Sequence, residues 1–186
     1  MTPDIGLANW FYQRALRSPQ RKALTFEGTT WTYAELQQRI DGLASAMRAN
    51  GVCHGDRVGF LGLNQPAYFE TLFAAARVGA VFVPLTFRLT GPELNYVIND
   101  AGLHTLVVDA PHRPVIDAIR AELPCRRFWS ADEAVSDWPS IAGMAAAGPF
   151  VAGVPAGADD VAVIMYTSGT TGRPKGAMLT PGNLGW

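Results

Sequence analysis

The sequence predicts an α/β fold in which helices layer both faces of a largely parallel sheet. Three observations carry that prediction. Strand-like runs recur along the chain, namely RVGFLGL (57–63), AVFVPL (80–85), HTLVV (104–108) and VAVIMY (161–166). Segments with helical spacing of apolar residues separate the first three, the alternation that builds βαβ units. Several of the runs are apolar almost throughout rather than alternating, as strands covered on both faces are. Hydrophobic residues make up 48% of the 186 positions, ample material for a packed core.

The elements follow in order. Leu7, Trp10, Phe11 and Ala15 give residues 7–17 a helical apolar face. Arg14, Arg17, Arg21 and Lys22 follow with no acid between Asp4 and Glu27. A solvated helix face accounts for that basic run, and contact with a membrane surface or a nucleotide is the alternative. Residues 22–33 read as a hairpin with Gly28 in its turn. Thr32 and Glu35 then form a T-x-x-E capping box, with Trp31 and Leu36 placed as a hydrophobic staple. Leu36, Ile40, Leu43, Ala44 and Met47 line one face of the helix that follows, and Asn50-Gly51 ends it. Pro66 opens a helix through Phe69, Leu72, Phe73 and Ala76, closed by Gly79. Residues 92–100 and 114–123 read as further helices. The segment 130–160, rich in Ala, Gly and Pro, reads as an irregular surface connection. GAMLT (176–180) reads as a last strand.

Composition excludes several classes of protein. Charged residues are 17%, against roughly 25% in an average soluble protein, so this is no disordered charged tail. A net charge of −1 gives no electrostatic reason to expect nucleic acid. No apolar run reaches the roughly 18 residues needed to cross a bilayer. The start, MTPDIGLANW, lacks the positive charge of a secretory signal. Cys53 and Cys125 lie far apart with no CxxC spacing, so a reduced, cytoplasmic chain is expected. At about 150 residues per domain, the length predicts one domain, or one and a piece of another.

The chemistry is concentrated in Tyr166-Thr167-Ser168-Gly169-Thr170-Thr171-Gly172-Arg173-Pro174-Lys175-Gly176. Its glycines let the backbone turn sharply and approach a ligand closely. Thr167, Ser168, Thr170 and Thr171 supply hydroxyl donors with no negative charge beside them. Arg173 and Lys175 add positive charge after a span, 128–172, that has no basic residue. Thirteen of the 15 basic residues are Arg, so a Lys at 175 runs against the chain's own preference. Exposed backbone N–H groups, hydroxyls and an ammonium are what a polyphosphate requires. A plain surface turn would seldom be built from eleven such residues. A Walker A loop is excluded, because Gly172 is followed by Arg-Pro-Lys-Gly and then a strand. A dinucleotide fingerprint is excluded too, because Gly169-Thr-Thr-Gly172 lacks the first glycine.

YTSGTTGRPKG resembles the phosphate-loop signature of the adenylate-forming superfamily, which holds acyl-CoA synthetases, luciferases and peptide-synthetase adenylation domains. Two weaker elements agree in order and spacing: WTYAEL (31–36) and AARVGAVFVPLTFRL (75–89). The text between them, DRVGFLGLNQPAYFETLFAA, is also similar to the family's. Leu85-Thr86-Phe87-Arg88-Leu89, followed by a Pro-Glu-Leu helix start, is similar to fatty-acyl and aryl-CoA ligases rather than to peptide-synthetase domains. The resemblance covers about residue 7 to the end.

The resemblance implies that residues 1–186 are the N-terminal portion of the large, AMP-binding domain, with the C-terminal domain outside this chain. It implies an ATP-dependent acyl-CoA ligase acting on a fatty or related hydrophobic acid through acyl-AMP. A ligase that loads a carrier protein, or a non-catalytic fragment, is the alternative. ATP, Mg2+ and CoA are the implied cofactors and co-substrates. Phosphate binding is carried over to Thr167, Ser168, Gly169, Thr170, Thr171, Gly172 and Lys175; Arg173 falls in a variable slot and is left out. The family's metal-binding Glu, ribose-binding Asp and catalytic Lys are expected beyond Trp186, so the chain on its own is expected to be inactive. An open strand edge and low charge lead us to expect a homo-oligomer.

Other candidates read as structural. His54, His104 and His112 share no spacing, and Asp159-Asp160 reads as a solvated loop pair rather than a metal site. Neither cysteine has a neighbouring base, so neither is expected to be a nucleophile.

Overall fold

A computed structural model describes residues 4–146, 152–167 and 173–185. Helix α1 (Leu7–Arg17) leads into the hairpin β1 (Lys22–Phe26) and β2 (Thr29–Thr32), a two-stranded sheet of its own. Helix α2 (Tyr33–Ala49) starts on the predicted box: Glu35 N–H donates to Thr32 Oγ1 at 3.2 Å, and Thr32 N–H to Glu35 Oε2 at 2.7 Å. Those bonds hold the Glu35 carboxyl below the usual carboxylate range. Then follow β3 (Arg57–Leu61), α3 (Pro66–Val78), β4 (Val81–Leu85), α4 (Gly91–Ala101) and β5 (Leu103–Val108).

The predicted 57–63 strand stops at Leu61 because Asp109 captures the next backbone: its Oδ2 accepts from Leu63 N–H at 2.8 Å. Helix α5 (Arg113–Ile119) is shorter than the predicted 114–123, its last residues tightening into a 3-10 turn at Arg120–Glu122. The 130–160 connection is more ordered than its composition suggests. A strand, β6 (Arg127–Ser130), runs into its start, and α6 (Ile141–Ala146) packs on α2. What decides α6 is space: a Cβ on Gly42 of α2 would lie 1.8 Å from the Ala145 carbonyl oxygen. Only glycine permits that approach. The chain then forms β7 (Val163–Thr167), β8 (Lys175–Leu179) and a short α7 (Pro181–Leu184).

The main sheet has the order β6-β5-β3-β4-β7-β8 and is parallel throughout except for the antiparallel β7–β8 pair. Successive strand residues enter opposite cores, as period-two geometry requires. Phe60, Phe82 and Val107 face α2 and α3, with Ile40, Leu43 and Met47. Leu61, Val83 and Leu106 face α4 and α5, with Leu94, Ile98 and Ile116. The predicted largely parallel, doubly covered sheet is the architecture found.

Candidate phosphate-binding site

The glycine-rich loop joins β7 to β8. Their ladder pairs Thr167 with Lys175 and Tyr166 with Gly176. Directly paired residues of antiparallel strands project from the same face. Thr167 and Lys175 therefore stand together at the mouth of the loop, both exposed. Of the other predicted contacts, Ser168, Gly169, Thr170, Thr171 and Gly172 lie outside the described residues. The loop leaves the carboxyl end of β7, parallel to β4, and that end of an open α/β sheet is where ligands are received.

The hairpin forms one end of the main sheet and joins it through β4. Strand β7 meets β4 at the pair Phe82–Val163, with Phe82 N–H donating to the Ala162 carbonyl at 3.0 Å. Two residues further along β4 is Pro84, which has no N–H to offer. The paired ladder ends there, and a largely apolar cleft of about 530 Å³ is lined by Leu85, Thr86, Leu89, Met165, Thr167 and Arg173 among others.

Helix α4 reaches both stems of the loop. Tyr166 Oη donates to Asp100 Oδ2 at 2.6 Å. The Arg173 guanidinium lies over the Tyr96 ring at 5.6 Å, and Tyr96 Oη stands 3.5 Å from the Pro174 carbonyl oxygen. Burial, then the Asp100 bond and charge, push the Tyr166 phenol above its usual range, so it remains a donor. Gly176 gives that ring its room: a Cβ there would sit 3.2 Å from Tyr166 Cζ and 2.8 Å from Ile164 Cγ2. Sequence reasoning placed the stems and passed over Tyr96, Asp100 and Arg173 as contacts. No local pattern marks Asp100, which is 66 positions from Tyr166.

The remaining titratable groups are engaged elsewhere. His54 Nδ1 lies 3.3 Å from the Gly79 carbonyl, His104 Nδ1 2.8 Å from Thr105 Oγ1, and His112 Nδ1 2.5 Å from Asp109 Oδ1. Burial, reinforced by Arg126, Arg127 and Arg57 against Asp56, holds His104 below its usual range. Asp160 accepts from Gly157 N–H at 2.8 Å and caps its own loop. Burial pushes the Cys125 thiol up to about 12, far from a nucleophile's range. Arg14, Arg17, Arg21 and Lys22 are exposed, the solvated face expected. Among the described residues no cluster of three or more His, Cys, Asp or Glu could hold a metal ion. No helix among them is long and apolar enough to cross a membrane.

A glycine- and hydroxyl-rich sequence with its lysine thus joins the last two strands of a mostly parallel α/β sheet. The chain belongs to the AMP-binding enzyme family, whose profile matches residues 11–186. It is similar to a feruloyl-CoA synthase of Amycolatopsis sp, 45% identical over 97% of this chain and 34% of that protein. It is also similar to a long-chain-fatty-acid–CoA ligase of Mycobacterium tuberculosis, 37% identical over 90% of this chain and 33% of that protein. Among solved structures, ATP-bound MatB from Rhodopseudomonas palustris superposes with a TM-score of 0.84 at 33% identity, over 98% of this chain and 36% of that one. The chain thus spans about a third of the length of the curated relatives it matches.

Proposed function

We propose that residues 1–186 are the N-terminal portion of the AMP-binding domain of an acid–thiol ligase. The enzyme activates a hydrophobic carboxylic acid, aromatic or fatty, with ATP and passes the acyl group to coenzyme A. In the first half-reaction a carboxylate oxygen attacks the α-phosphorus, the bond to the β-phosphate bridging oxygen breaks, and pyrophosphate leaves. In the second the CoA thiolate attacks the acyl carbon and AMP leaves. The observation that carries this reading is the pairing of Thr167 with Lys175 at the mouth of the loop. The backbone and hydroxyls of Thr167, Ser168, Gly169, Thr170, Thr171 and Gly172, with the Lys175 ammonium, hold the β- and γ-phosphates and stabilise charge gathering on the leaving pyrophosphate. Magnesium enters on its ATP substrate. The described residues form no carboxylate cluster to hold it independently.

Coenzyme A is favoured over a carrier protein as acceptor by the order of similarity. The feruloyl-CoA and indoleacetate–CoA ligases are 45% and 38% identical to the chain, and a fatty acid–carrier-protein ligase 34%. The test is ATP–pyrophosphate exchange by the complete gene product, with ferulate and a long-chain fatty acid as alternative acids. A charge-assisted phosphate contact is worth roughly 1.5–3 kcal/mol. Lys175→Ala should therefore slow exchange about 10- to 150-fold, at about 1.4 kcal/mol per tenfold. A rate within threefold of the parent overturns the phosphate role.

A further inference from the structure

We propose that α4 is the positioning element for the two stems of the phosphate loop, and that the Tyr166 hydroxyl held by Asp100 fixes the outgoing stem. The proposal rests on the phosphate-binding reading above and assigns residues that reading does not use.

The sheet ties the hairpin to β4 through a short ladder. Strand β7 is tied to β4 at Phe82–Val163, and Pro84 cannot donate the bond that would continue the ladder. From Met165 onward the hairpin also borders the 530 Å³ cleft, and its one ladder pair with β4 lies behind it at Phe82–Val163. Helix α4 supplies what β4 does not. Tyr96 and Asp100 are four residues apart, so they share one helix face. Asp100 holds the Tyr166 hydroxyl on the outgoing stem, and Tyr96 lies beneath Arg173 on the returning stem. Both strands of the hairpin are thus referred to a single rigid body, which the core anchors through Leu94, Val97 and Ile98. The bond to Asp100 is charge-assisted and short, the strong class of hydrogen bond. Gly176 completes the arrangement, since a Cβ there would press on the Tyr166 ring at 3.2 Å.

The consequence concerns affinity for nucleotide. Phosphate donors act by being aimed in advance, and a displacement of about 1 Å weakens them steeply. Removing the Tyr166 hydroxyl leaves the β7–β8 ladder intact from Val163–Leu179 to Thr167–Lys175. The stems remain paired and lose one of their ties to α4.

The experiment is steady-state exchange kinetics on the complete gene product, with ATP and acid varied separately. Tyr166→Phe should raise the KM for ATP by about five- to tenfold while the KM for the acid stays within about twofold. Asp100→Ala should do the same. Asp100→Asn, whose carboxamide oxygen still accepts from the phenol, should recover most of the loss. The double variant Tyr166→Phe/Asp100→Ala should be no worse than either single one, because both remove one bond. An unchanged ATP KM in Tyr166→Phe overturns the proposal, as does an equal effect of Asp100→Asn and Asp100→Ala. If Asp100→Ala fails to fold, Tyr166→Phe, which deletes one oxygen, carries the test. A harmless Tyr166→Phe beside a damaging Lys175→Ala removes the positioning role only. A harmless Lys175→Ala removes the phosphate reading beneath it.

Discussion

At the scale of single residues, the chemistry of this chain is decided by where each group's hydrogen bonds go. Tyr166 commits its hydroxyl to Asp100, and Lys175, one of the chain's two lysines, stands exposed opposite Thr167. The cysteines show the same dependence on surroundings. Cys53 is exposed in the turn after α2, whereas Cys125 is packed beside the core that contains Leu103 and Ile116. Burial pushes the Cys125 thiol up to about 12, so at pH 8 it is almost wholly protonated. Alkylation of the native protein with iodoacetamide at pH 8, read by mass spectrometry, should modify Cys53 and leave Cys125 intact. Denaturant should expose both. Comparable labelling of the two in the native state would contradict the burial of Cys125.

At the scale of elements, close approach matters as much as propensity. Helix α6 lies so near α2 that a Gly42 side chain would strike the Ala145 backbone. Alanine normally strengthens a helix interior by roughly 0.5–1 kcal/mol over glycine. Here a carbonyl must give way, and overpacking of that kind costs about 1–3 kcal/mol. Gly42→Ala should therefore cost a net of about 0.5–2 kcal/mol and lower the melting temperature by roughly 1–8 °C, at about 2–4 °C per kcal/mol for a chain of this size. Scanning calorimetry checks it, and a raised melting temperature would show that α6 is free to shift. The same elements mark what could be read in advance. The capping box at Thr32–Glu35 and the apolar stripe of α2 are local, and both stand where the sequence placed them. Helix α6 has six residues and β6 four, too short to show a period. Their order comes from neighbours that the local sequence does not contain. At the site, the loop stems were legible because an eleven-residue pattern spells them. The bond from Tyr166 to Asp100 was not, because it spans 66 positions and exists only once α4 packs beside the hairpin.

At the scale of the whole molecule, a doubly covered, mostly parallel sheet presents one hairpin at its margin, with Thr167 and Lys175 paired at that hairpin's mouth. Among the described residues β8 pairs on one side only, and Met165 and Met178 are exposed on the hairpin. An apolar strand with a free side is suited to further pairing. The central claim is that nucleotide phosphates are held between the β7 and β8 stems. The most direct measurement is hydrogen–deuterium exchange of the complete gene product with and without Mg-ATP, compared with the Lys175→Ala variant. Protection by ATP of peptides covering 163–179, lost in Lys175→Ala, is the predicted result. ATP protection confined to other peptides, or unchanged by Lys175→Ala, would contradict it.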